Sequence, residues 1–357
     1  SCVRRLILHA VCAVIVVADT GAKIIVFDLR VIQERLSGIM YDGNDADDMT
    51  ESLRVLLKEQ DDIAATDRKE AGQNVAEAYA DFYEDLFSAD TRYLSGYYTL
   101  DKYMGGLLPG TVFVLAARSG HGKTDFSLSL MLRYAAAGQK VLYYSMEMSK
   151  KQIMVRIAAQ LTGINNTRIR DKQLTEEEKS KIAKAVGLIR GRESIYVSEK
   201  RPSLADIRDA IFACRPQVVF IDHLSLMKMP RRKNRYEEVA ETTRALKSLA
   251  LETGVCFVEL VQMNRDVEKR NSKRPLLSDL KESGTIEEDA DYILFLQAHK
   301  GNEPLKGNDS YETMGYLEKN RHGSTGVVKF AWRPQYSRFA AVNGHWEERY
   351  VPESGTD

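Results

Sequence analysis

A short glycine-containing segment carries the clearest chemistry in the sequence. Residues 117–124 read Ala-Arg-Ser-Gly-His-Gly-Lys-Thr and match the phosphate-binding P-loop pattern, except that the first Gly of the pattern is Ala117. In that pattern, backbone N–H groups turn toward phosphate oxygens and the helix N-terminus adds partial positive charge. The segment therefore predicts a nucleotide-phosphate site formed by Ser119, Gly120, His121, Gly122, Lys123 and Thr124.

The chemistry expected of such a site needs four particular side chains. Lys123 is predicted to reach the β- and γ-phosphates of ATP, and the Thr124 hydroxyl is predicted to bind Mg²⁺. Asp222 ends the apolar run Val-Val-Phe-Ile-Asp, so it would lie at the carboxyl edge of a strand, where ligands collect in open α/β sheets. Glu147, at the end of the strand after the P-loop helix, is the candidate for orienting or deprotonating water.

Each of these assignments has a structural alternative. The P-loop could be a glycine-rich turn that happens to end in Gly-Lys-Thr. Asp222 could cap whatever follows its strand, and Glu147 could be a surface acid at a strand end.

Apolar runs of five to seven residues alternate with helical patterns after Gly96, which predicts an α/β fold with a mostly parallel central sheet flanked by helices. Helices are expected over 125–138, 149–161 and 175–190. Strands are expected over 111–117, 140–147, 194–198, 217–222, 255–261 and 291–297, followed by antiparallel strands over 313–320 and 327–334.

The chain before this region reads differently. Amphipathic helical patterns over 49–60 and 75–87 are joined by a charged stretch, without a convincing core of their own. We therefore expect residues 1–90 to form a small helical N-terminal segment and linker helix, and residues 91–357 to form the catalytic domain.

Composition narrows the class of protein. The chain has 357 residues, of which 44% are hydrophobic and 29% are charged, so it can bury a proper core. The formal net charge is zero, so a polyanionic partner must be held by local clusters and backbone amides. The four Cys residues form no CxxC pair, which argues against structural zinc or a disulfide scaffold and favours reduced thiols in the cytoplasm.

An apolar run near the N-terminus raises the question of a membrane. Residues 6–18 follow Arg4 and Arg5 and resemble a signal-peptide core, but the run is too short to span a bilayer. His9 interrupts it, and a second apolar stretch follows directly. The run is better explained as a buried element of a truncated N-terminal domain, and no membrane partner is predicted.

Several motifs in order between residues 92 and 340 resemble the replicative DNA helicases of the DnaB family. They include GGLLPGTVFVLAARSGHGKT, YYSMEMS, VVFIDHLSLM, VQMNRDVEKR, RPLLSDLKESGTIEEDAD and LEKNRHGSTG. The P-loop alone would be a weak indication of family, whereas DLKESG and KNRHGSTG are specific. The resemblance implies a RecA-like P-loop ATPase core and a hexameric helicase that uses ATP and Mg²⁺ to move on single-stranded DNA.

The resemblance also implies roles for individual residues. Lys123, Thr124, Glu147 and Asp222 match the family's phosphate, Mg²⁺, catalytic and Walker B residues. Gln262 matches a polar residue thought to sense the γ-phosphate and link it to the DNA loops. Arg321 matches an arginine finger that acts on the neighbouring subunit's ATP, and Lys319 matches the lysine beside it; alternation along a strand would point both the same way.

Two segments are predicted to contact DNA. Lys281, Glu282 and Gly284 match a loop that tracks a DNA phosphate, although Lys281 replaces the usual Arg and loses its fork geometry. The acidic residues around that loop make it a poor polyanion site by charge alone. The run 230–235, which contains Arg231 and Arg232, is a better electrostatic patch, with a solubilising loop as the alternative.

The implied partners are single-stranded DNA, five further copies of the chain, and a primase and helicase loader. Residues 28–90 match the last part of the family's N-terminal bundle and its linker helix, whereas residues 1–27 match poorly, which predicts a truncated or diverged N-terminal domain. Two alternatives stay open: another RecA-like ATPase such as a recombinase, and a non-unwinding assembly factor that binds ATP and DNA.

Overall fold

The fold is given by a computed structural model that describes residues 92–190, 194–264, 274–280, 283–299 and 310–342, together with Val75, Tyr83, Val267 and Arg270. The chain divides into two compact units, Ser1–Ala89 and Asp90–Asp357. In the first unit only Val75 and Tyr83 are described, and both are helical and exposed. The predicted N-terminal segment and linker helix therefore lie almost entirely outside the described residues.

The second unit is built on a nine-stranded sheet with the order β3-β2-β4-β5-β1-β6-β7-β8-β9. The first six strands in that order are parallel, and β7, β8 and β9 are antiparallel. The strands are β1 Val112–Ala117, β2 Val141–Ser145, β3 Ile195–Ser198, β4 Val218–Asp222, β5 Cys256–Gln262, β6 Tyr292–Ala298, β7 Tyr311–Asn320, β8 Gly326–Arg333 and β9 Arg338–Ala341. The predicted mostly parallel sheet with late antiparallel strands is confirmed, and β9 is an addition.

Eight helices are described in this unit: α1 Tyr98–Met104, α2 Lys123–Ala136, α3 Lys150–Thr162, α4 Asn166–Arg170, α5 Glu176–Arg190, α6 Leu204–Cys214, α7 Arg235–Thr253 and α8 Ser283–Asp289. Short 3₁₀ turns occur at Leu224–Leu226, Leu277–Asp279 and Pro334–Tyr336. Local sequence fixes several ends. Ser149 and Ser203 begin α3 and α6 with capping boxes, and Gly163 and Gly254 end α3 and α7 in the left-handed conformation.

The sheet is buried on both faces. Alternate residues of β1 belong to two separate apolar clusters, because successive side chains of a strand point to opposite faces. One cluster contains α2, α3 and the aromatic side chains of β8 and β9, and the other contains α6, α7 and α8. All the residues of β1, β2 and β4 are buried, which explains why these strands read as continuous apolar runs.

This topology places the predicted site residues at two opposite ends of the parallel strands. The carboxyl ends of β1, β2, β4 and β5 lie together, so the segments that follow them share one edge of the sheet. The end of β7 lies at the opposite edge, because β7 runs antiparallel to β6 and pairs Asn320 with Tyr292 at the start of that strand. The sheet thus holds two groups of predicted site residues apart.

Candidate nucleotide-binding site

The P-loop connects the end of β1 to the start of α2, as predicted. Gly120 and Gly122 have φ angles of 77° and 83°, which lie in the left-handed region that glycine tolerates best. A Cβ atom on Gly122 would also lie 2.8 Å from the Phe339 ring, so this position is closed to side chains by two criteria. Ala117, by contrast, is the last residue of β1 and has no positive φ, so an alanine fits where the pattern has its first glycine.

Backbone and ring contacts fix the shape of this loop. The His121 N–H donates to the Arg118 carbonyl at 3.2 Å, and the Phe126 N–H donates to the Gly122 carbonyl at 2.8 Å. The Ala298 N–H at the end of β6 donates to Nδ1 of His121 at 3.0 Å, which requires that nitrogen to be unprotonated. The loop is thereby attached to the strand beside β1, while Ser119 and Gly120 are exposed at its tip.

Thr124 and Asp222 are brought together across the edge of the sheet. The Thr124 hydroxyl donates to Oδ2 of Asp222 at 2.9 Å, and the Tyr143 hydroxyl donates to the same oxygen at 3.0 Å. Asp222 is 1% exposed, and its Oδ1 is buried without a hydrogen-bond partner. A buried carboxylate oxygen without a partner costs free energy, so the pair fits a cation that would take Oδ1 and the hydroxyl as ligands.

Charge and burial act against each other at this edge. Burial raises the pKa of Asp222, and the nearby Lys123 ammonium partly offsets that rise. Burial lowers the pKa of Lys123, and the carboxylates of Asp222 and Glu147 partly offset that fall. Lys123 therefore lies within electrostatic range of both acids, and the three charged groups form one cluster beside the loop.

Glu147 lies at the same edge, although β2 ends two residues before it at Ser145. Its side chain is 63% exposed, and Oε2 lies 3.9 Å from Nε2 of His223. Nδ1 of His223 is 2.7 Å from the Ser225 hydroxyl, which orients the ring. An exposed carboxylate beside the phosphate loop is placed to meet water, which is what its predicted role needs.

Gln262 is the last residue of β5 and lies level with Ala117 in the parallel register, beside the start of the P-loop. Beyond it, the Met263 N–H donates to the Ala117 carbonyl at 3.1 Å, and the Asn264 N–H donates to the Asp279 carbonyl at 2.8 Å. Met263 and Leu280 also form an antiparallel bridge. A continuous backbone path therefore joins the P-loop to the residue that precedes Lys281.

Lys319 and Arg321 lie at the other edge of the sheet. Nζ of Lys319 donates to the carbonyls of Glu287 and Glu288 at the end of α8, and Nη2 of Arg321 donates to the Glu288 carbonyl. Nη1 of Arg321 is 3.5 Å from Oδ1 of Asp291. The two side chains do converge, but β7 ends at Asn320, so Arg321 reaches this position from a turn and not from the strand alternation that the sequence suggested.

These two cations are separated from the P-loop of their own chain. The Arg321 N–H donates to the Asp291 carbonyl, and the Asp291 N–H donates to the Val112 carbonyl, which places Arg321 beside the amino end of β1. The P-loop follows the carboxyl end of β1, about 17 Å away for five strand steps. Arg321 therefore does not belong to the nucleotide site of the same chain.

The structure describes only some of the residues that are predicted to contact DNA. Lys281 and Glu282 lie outside the described residues, whereas Gly284 is exposed in α8, where a Cβ atom would lie 2.8 Å from the Tyr236 hydroxyl. Arg231 is exposed. Arg232 forms an ion pair with Glu241, and its Nη2 lies 2.6 Å from Oε1.

Two residues at this edge were missed by sequence reasoning. Tyr143 reads as an ordinary strand residue, and only the parallel register shows that its hydroxyl meets Asp222. Asp125 directly follows the P-loop pattern, and its 2% exposure is unusual for an acid in the first turn of a helix. The P-loop pattern ends at Thr124 and says nothing about the next residue. The sequence therefore showed only that an acid directly follows the pattern.

A strand, a glycine-bearing loop and a helix, with a hydroxyl and a buried carboxylate beside them, define a P-loop nucleotide-binding domain. The family model described as "DnaB-like helicase C terminal domain" matches residues 93–341. The chain therefore belongs to the family of DnaB-like helicase C-terminal domains.

Individual relatives agree with this assignment. The chain is 37% identical to "Replicative DNA helicase DnaB" of Haemophilus influenzae over 71% of this chain and 56% of that protein. It is 30% identical to the protein of the same name from Geobacillus stearothermophilus over 91% of this chain and 74% of that protein. The chain thus spans little more than half the length of the first of these relatives.

Solved structures agree as well. One solved structure, described as an ATPase domain, superposes with a TM-score of 0.68 at 30% identity and covers 76% of this chain and 99% of that chain. A DnaB-like replicative helicase, solved in a study of its interactions with primase, superposes with a TM-score of 0.64 at 29% identity and covers 78% of this chain and 71% of that chain. The predicted RecA-like α/β fold is confirmed by these likenesses.

Proposed function

We propose that this chain is an ATP-dependent replicative DNA helicase that moves on single-stranded DNA and unwinds duplex as a ring hexamer. Membership of the DnaB-like family supports the class of activity. The observation that carries the proposal is the pairing of Thr124 with Asp222 beside the P-loop, with one buried Asp222 oxygen left for a cation. This arrangement supports ATP binding with a cation, and family membership supports the coupling of ATP hydrolysis to DNA unwinding.

In this proposal, ATP is the substrate and Mg²⁺ is the cofactor. The loop from Ser119 to Gly122 presents backbone N–H groups, and Lys123 supplies positive charge to the β- and γ-phosphates. Thr124 and Asp222 would hold Mg²⁺, which supplies neutralising charge to the phosphate oxygens when it is bound. Among the described residues, no three His, Cys, Asp or Glu side chains are grouped so that they could hold a metal ion by themselves.

Glu147 would position or deprotonate the attacking water. Its side chain is exposed at the edge that also carries Lys123, and it is neither buried nor closely paired. A carboxylate in that state is available as a hydrogen-bond acceptor for water. His223, held by Ser225, lies near enough to limit where the Glu147 side chain points.

The second half of the catalytic site would come from a neighbouring chain. Arg321 lies at the edge of the sheet opposite to its own P-loop, so it can reach a phosphate only in another subunit. An arginine finger supplied in this way contributes roughly 10³–10⁵ in rate. The placement of Arg321 and Lys319 thus supports a ring in which each interface completes one site, and we propose a homo-hexamer.

DNA would bind to the segment that contains Lys281, which contacts the chain just after the end of β5. Gln262 adjoins the P-loop, and the backbone path through Met263 and Asn264 leads to the segment that carries Lys281. A change at the γ-phosphate could therefore be transmitted to the DNA contact over a few residues. Because its substrate is DNA, we propose that the protein acts in the cytoplasm. We propose a primase and a helicase loader as further partners. In the described part of the chain, no helix is long and apolar enough to cross a membrane.

The test is unwinding of a forked DNA substrate by the purified chain, with ATP hydrolysis measured in the same samples. We expect DNA-stimulated hydrolysis and strand separation, and we expect Lys123→Ala to abolish both while the melting temperature stays close to that of the wild type. Hydrolysis without strand separation would favour the non-unwinding ATPase instead.

A further inference from the structure

Asp125 is a buried acid next to the candidate Mg²⁺ ligand, and the nucleotide chemistry does not use it. It lies in the first turn of α2, where an acid is normally exposed to solvent and stabilises the helix N-terminus through its negative charge. Here the carboxylate is 2% exposed, and burial raises its pKa. A carboxylate taken out of water at this position needs partners that offset its desolvation.

Those partners come from two other parts of the fold. Arg156 of α3 forms an ion pair with Oδ1 of Asp125. Nε1 of Trp332 in β8 donates to Oδ2 at 3.0 Å, and the side chain of Ser337 is close enough to offset part of the rise in the pKa of Asp125. Trp332 and Ser337 belong to the hairpin that connects β8 to β9, so Asp125 ties the first turn of the P-loop helix to that hairpin.

The same hairpin lies directly against the phosphate loop. The rings of Trp332 and Phe339 stack with centroids 5.8 Å apart and an interplanar angle of 11°. Both rings would lie within 3 Å of a Cβ atom at Gly122, at 2.9 Å and 2.8 Å respectively. Phe126, one residue past Asp125, packs edge-on against Phe339 with centroids 5.1 Å apart.

The hairpin is held from its other side as well. Nδ2 of Asn166, the first residue of α4, donates to the Pro334 carbonyl at 2.7 Å and to the Ser337 hydroxyl at 3.0 Å. Ser337 is fully buried. The ring pair behind Gly122 is therefore held by polar contacts as well as by packing, and Asp125 supplies a polar contact between the pair and the loop helix.

We propose that Asp125 is a positioning residue of the phosphate loop: through Trp332 it holds the stacked rings of the β8–β9 hairpin against Gly122 and so sets how tightly the loop binds a nucleotide polyphosphate. The inference rests on the proposed function only in taking the loop as the ATP site. Asp125 itself faces the hairpin and Arg156, so it acts through the loop and not on the phosphates.

The test compares the nucleotide affinity of Asp125→Ala, Trp332→Phe and the double variant. Trp332→Phe keeps an aromatic ring but removes the N–H donor, so it isolates the hydrogen bond from the ring packing. We expect each single variant to bind the fluorescent nucleotide mant-ADP with Mg²⁺ about tenfold more weakly than the wild type. We expect the double variant to be no weaker than Asp125→Ala alone, because both changes remove the same contact.

Stability is measured beside affinity, because a merely structural acid would lower the melting temperature without changing the dissociation constant of the folded protein. Asp101→Ala is the control: the Asp101 carboxylate also accepts hydrogen bonds, in its case from the backbone N–H groups of Ser95 and Gly96, but it lies in α1. If Asp125→Ala fails to fold, Trp332→Phe still decides the question. Wild-type affinity in folded Trp332→Phe would overturn the inference.

A second readout uses the indole itself, since Trp332 is one of two Trp residues in the chain. In a Trp346→Phe background, mant-ADP should quench Trp332 fluorescence by energy transfer, and unlabelled ADP with Mg²⁺ should shift its emission. Asp125→Ala should lose most of that shift. An emission shift that is unchanged in Asp125→Ala would contradict this inference and leave the proposed function intact. If Lys123→Ala bound mant-ADP as tightly as the wild type, both the proposed function and this inference would be contradicted.

Discussion

Asp222 shows how the surroundings of one residue prepare it for a particular ligand. Two hydroxyls, from Thr124 and Tyr143, donate to one carboxylate oxygen and leave the other oxygen buried and unpartnered. Hydrogen bonds to the charged form favour ionisation, while burial opposes it. The result is a carboxylate with one oxygen occupied by two hydroxyl donors and one buried oxygen without a partner, close enough to Lys123 for the two charges to interact.

Glu147 provides the first prediction at this scale. Its carboxylate is exposed, with Nε2 of His223 3.9 Å from Oε2. Glu147→Gln should therefore keep the shape of this side chain but remove its ability to accept a proton from water. We expect nucleotide affinity within about twofold of the wild type and a turnover lower by about 10²–10⁴. Single-turnover hydrolysis and mant-ADP binding measure the two quantities separately. Turnover at the wild-type rate would require another acid to be sought.

Glu259 provides a prediction about pH. It lies in the middle of β5, is 1% exposed, and has a side-chain oxygen without a partner. Burial, with the Asp289 carboxylate nearby, raises its pKa to about 8 from an ordinary value of 4.5. Between these two values the native chain keeps a proton that the unfolded chain releases, so the unfolding free energy should fall as pH rises from 5 to 8.

Glu259→Gln should remove this dependence, because an amide has no proton to release in that range. We expect the fall in unfolding free energy between pH 5 and pH 8 to be smaller in the variant, by on the order of 3 kcal/mol. Urea unfolding across a pH series gives the comparison, and Glu252→Gln, an exposed acid paired with Arg208, is the control. Parallel curves for wild type and Glu259→Gln would show that Glu259 is ionised in the native state.

At the scale of elements, the strands were the most predictable part of the fold. Runs such as Val-Val-Phe-Ile in β4 are buried on both faces, so their composition alone identifies them. The short β9 and α4 carry no such signal. β9 has four residues and owes its place to the packing of Phe339 against Phe126 and Trp332, which are contacts between residues far apart in sequence.

The candidate site was predictable where a motif has a fixed spacing and unpredictable where tertiary contacts decide. The P-loop and Asp222 follow from strand ends and glycine positions. The partners of Asp125, and the pairing of Arg232 with Glu241, depend on side chains brought together by folding. The same holds for Arg321, because a motif can suggest a finger but only the topology puts it at the far edge of the sheet.

The position of Arg321 gives a prediction about elements in different chains. If the end of β7 completes the neighbour's site, Arg321→Ala and Lys123→Ala subunits should each be inactive alone and partly active when mixed. In mixed rings, some interfaces then combine an intact P-loop with an intact finger. The measurement is ATP hydrolysis across mixing ratios, with a chain carrying both substitutions as the control, since it cannot contribute to any complete interface. Fully active monomers would contradict the trans assignment.

At the scale of the whole molecule, a chain of zero net charge can hold DNA, as we propose, only through local contacts. If Lys281 meets a phosphate, Lys281→Ala should weaken binding to single-stranded DNA and lower the slope of log affinity against log salt by about 0.7. Arg231→Ala should behave similarly if its loop is a DNA contact. The Arg232 charge is already paired with Glu241, so Arg232→Ala should change the slope less. Fluorescence anisotropy of a labelled oligonucleotide with an ATP analogue gives the slopes.

Affinity for mant-ADP should stay unchanged in these variants, because Lys281 and Arg231 are not assigned to the nucleotide. An unaltered slope for Lys281→Ala would break the connection between the DLKESG motif and DNA, and the ATPase assignment would then stand alone.

The hairpin behind Gly122 has a consequence for the order in which the protein is made. Gly122 precedes Phe339 by 217 residues, so the ribosome synthesises the phosphate loop long before the rings that close its rear face. Chains fold from the N-terminus as they emerge, and β1, α2 and β2 are complete early. In a nascent chain, the phosphate loop would nevertheless lack the packing of Phe339 until β9 emerged. Tight nucleotide binding would therefore require nearly the whole domain to be translated.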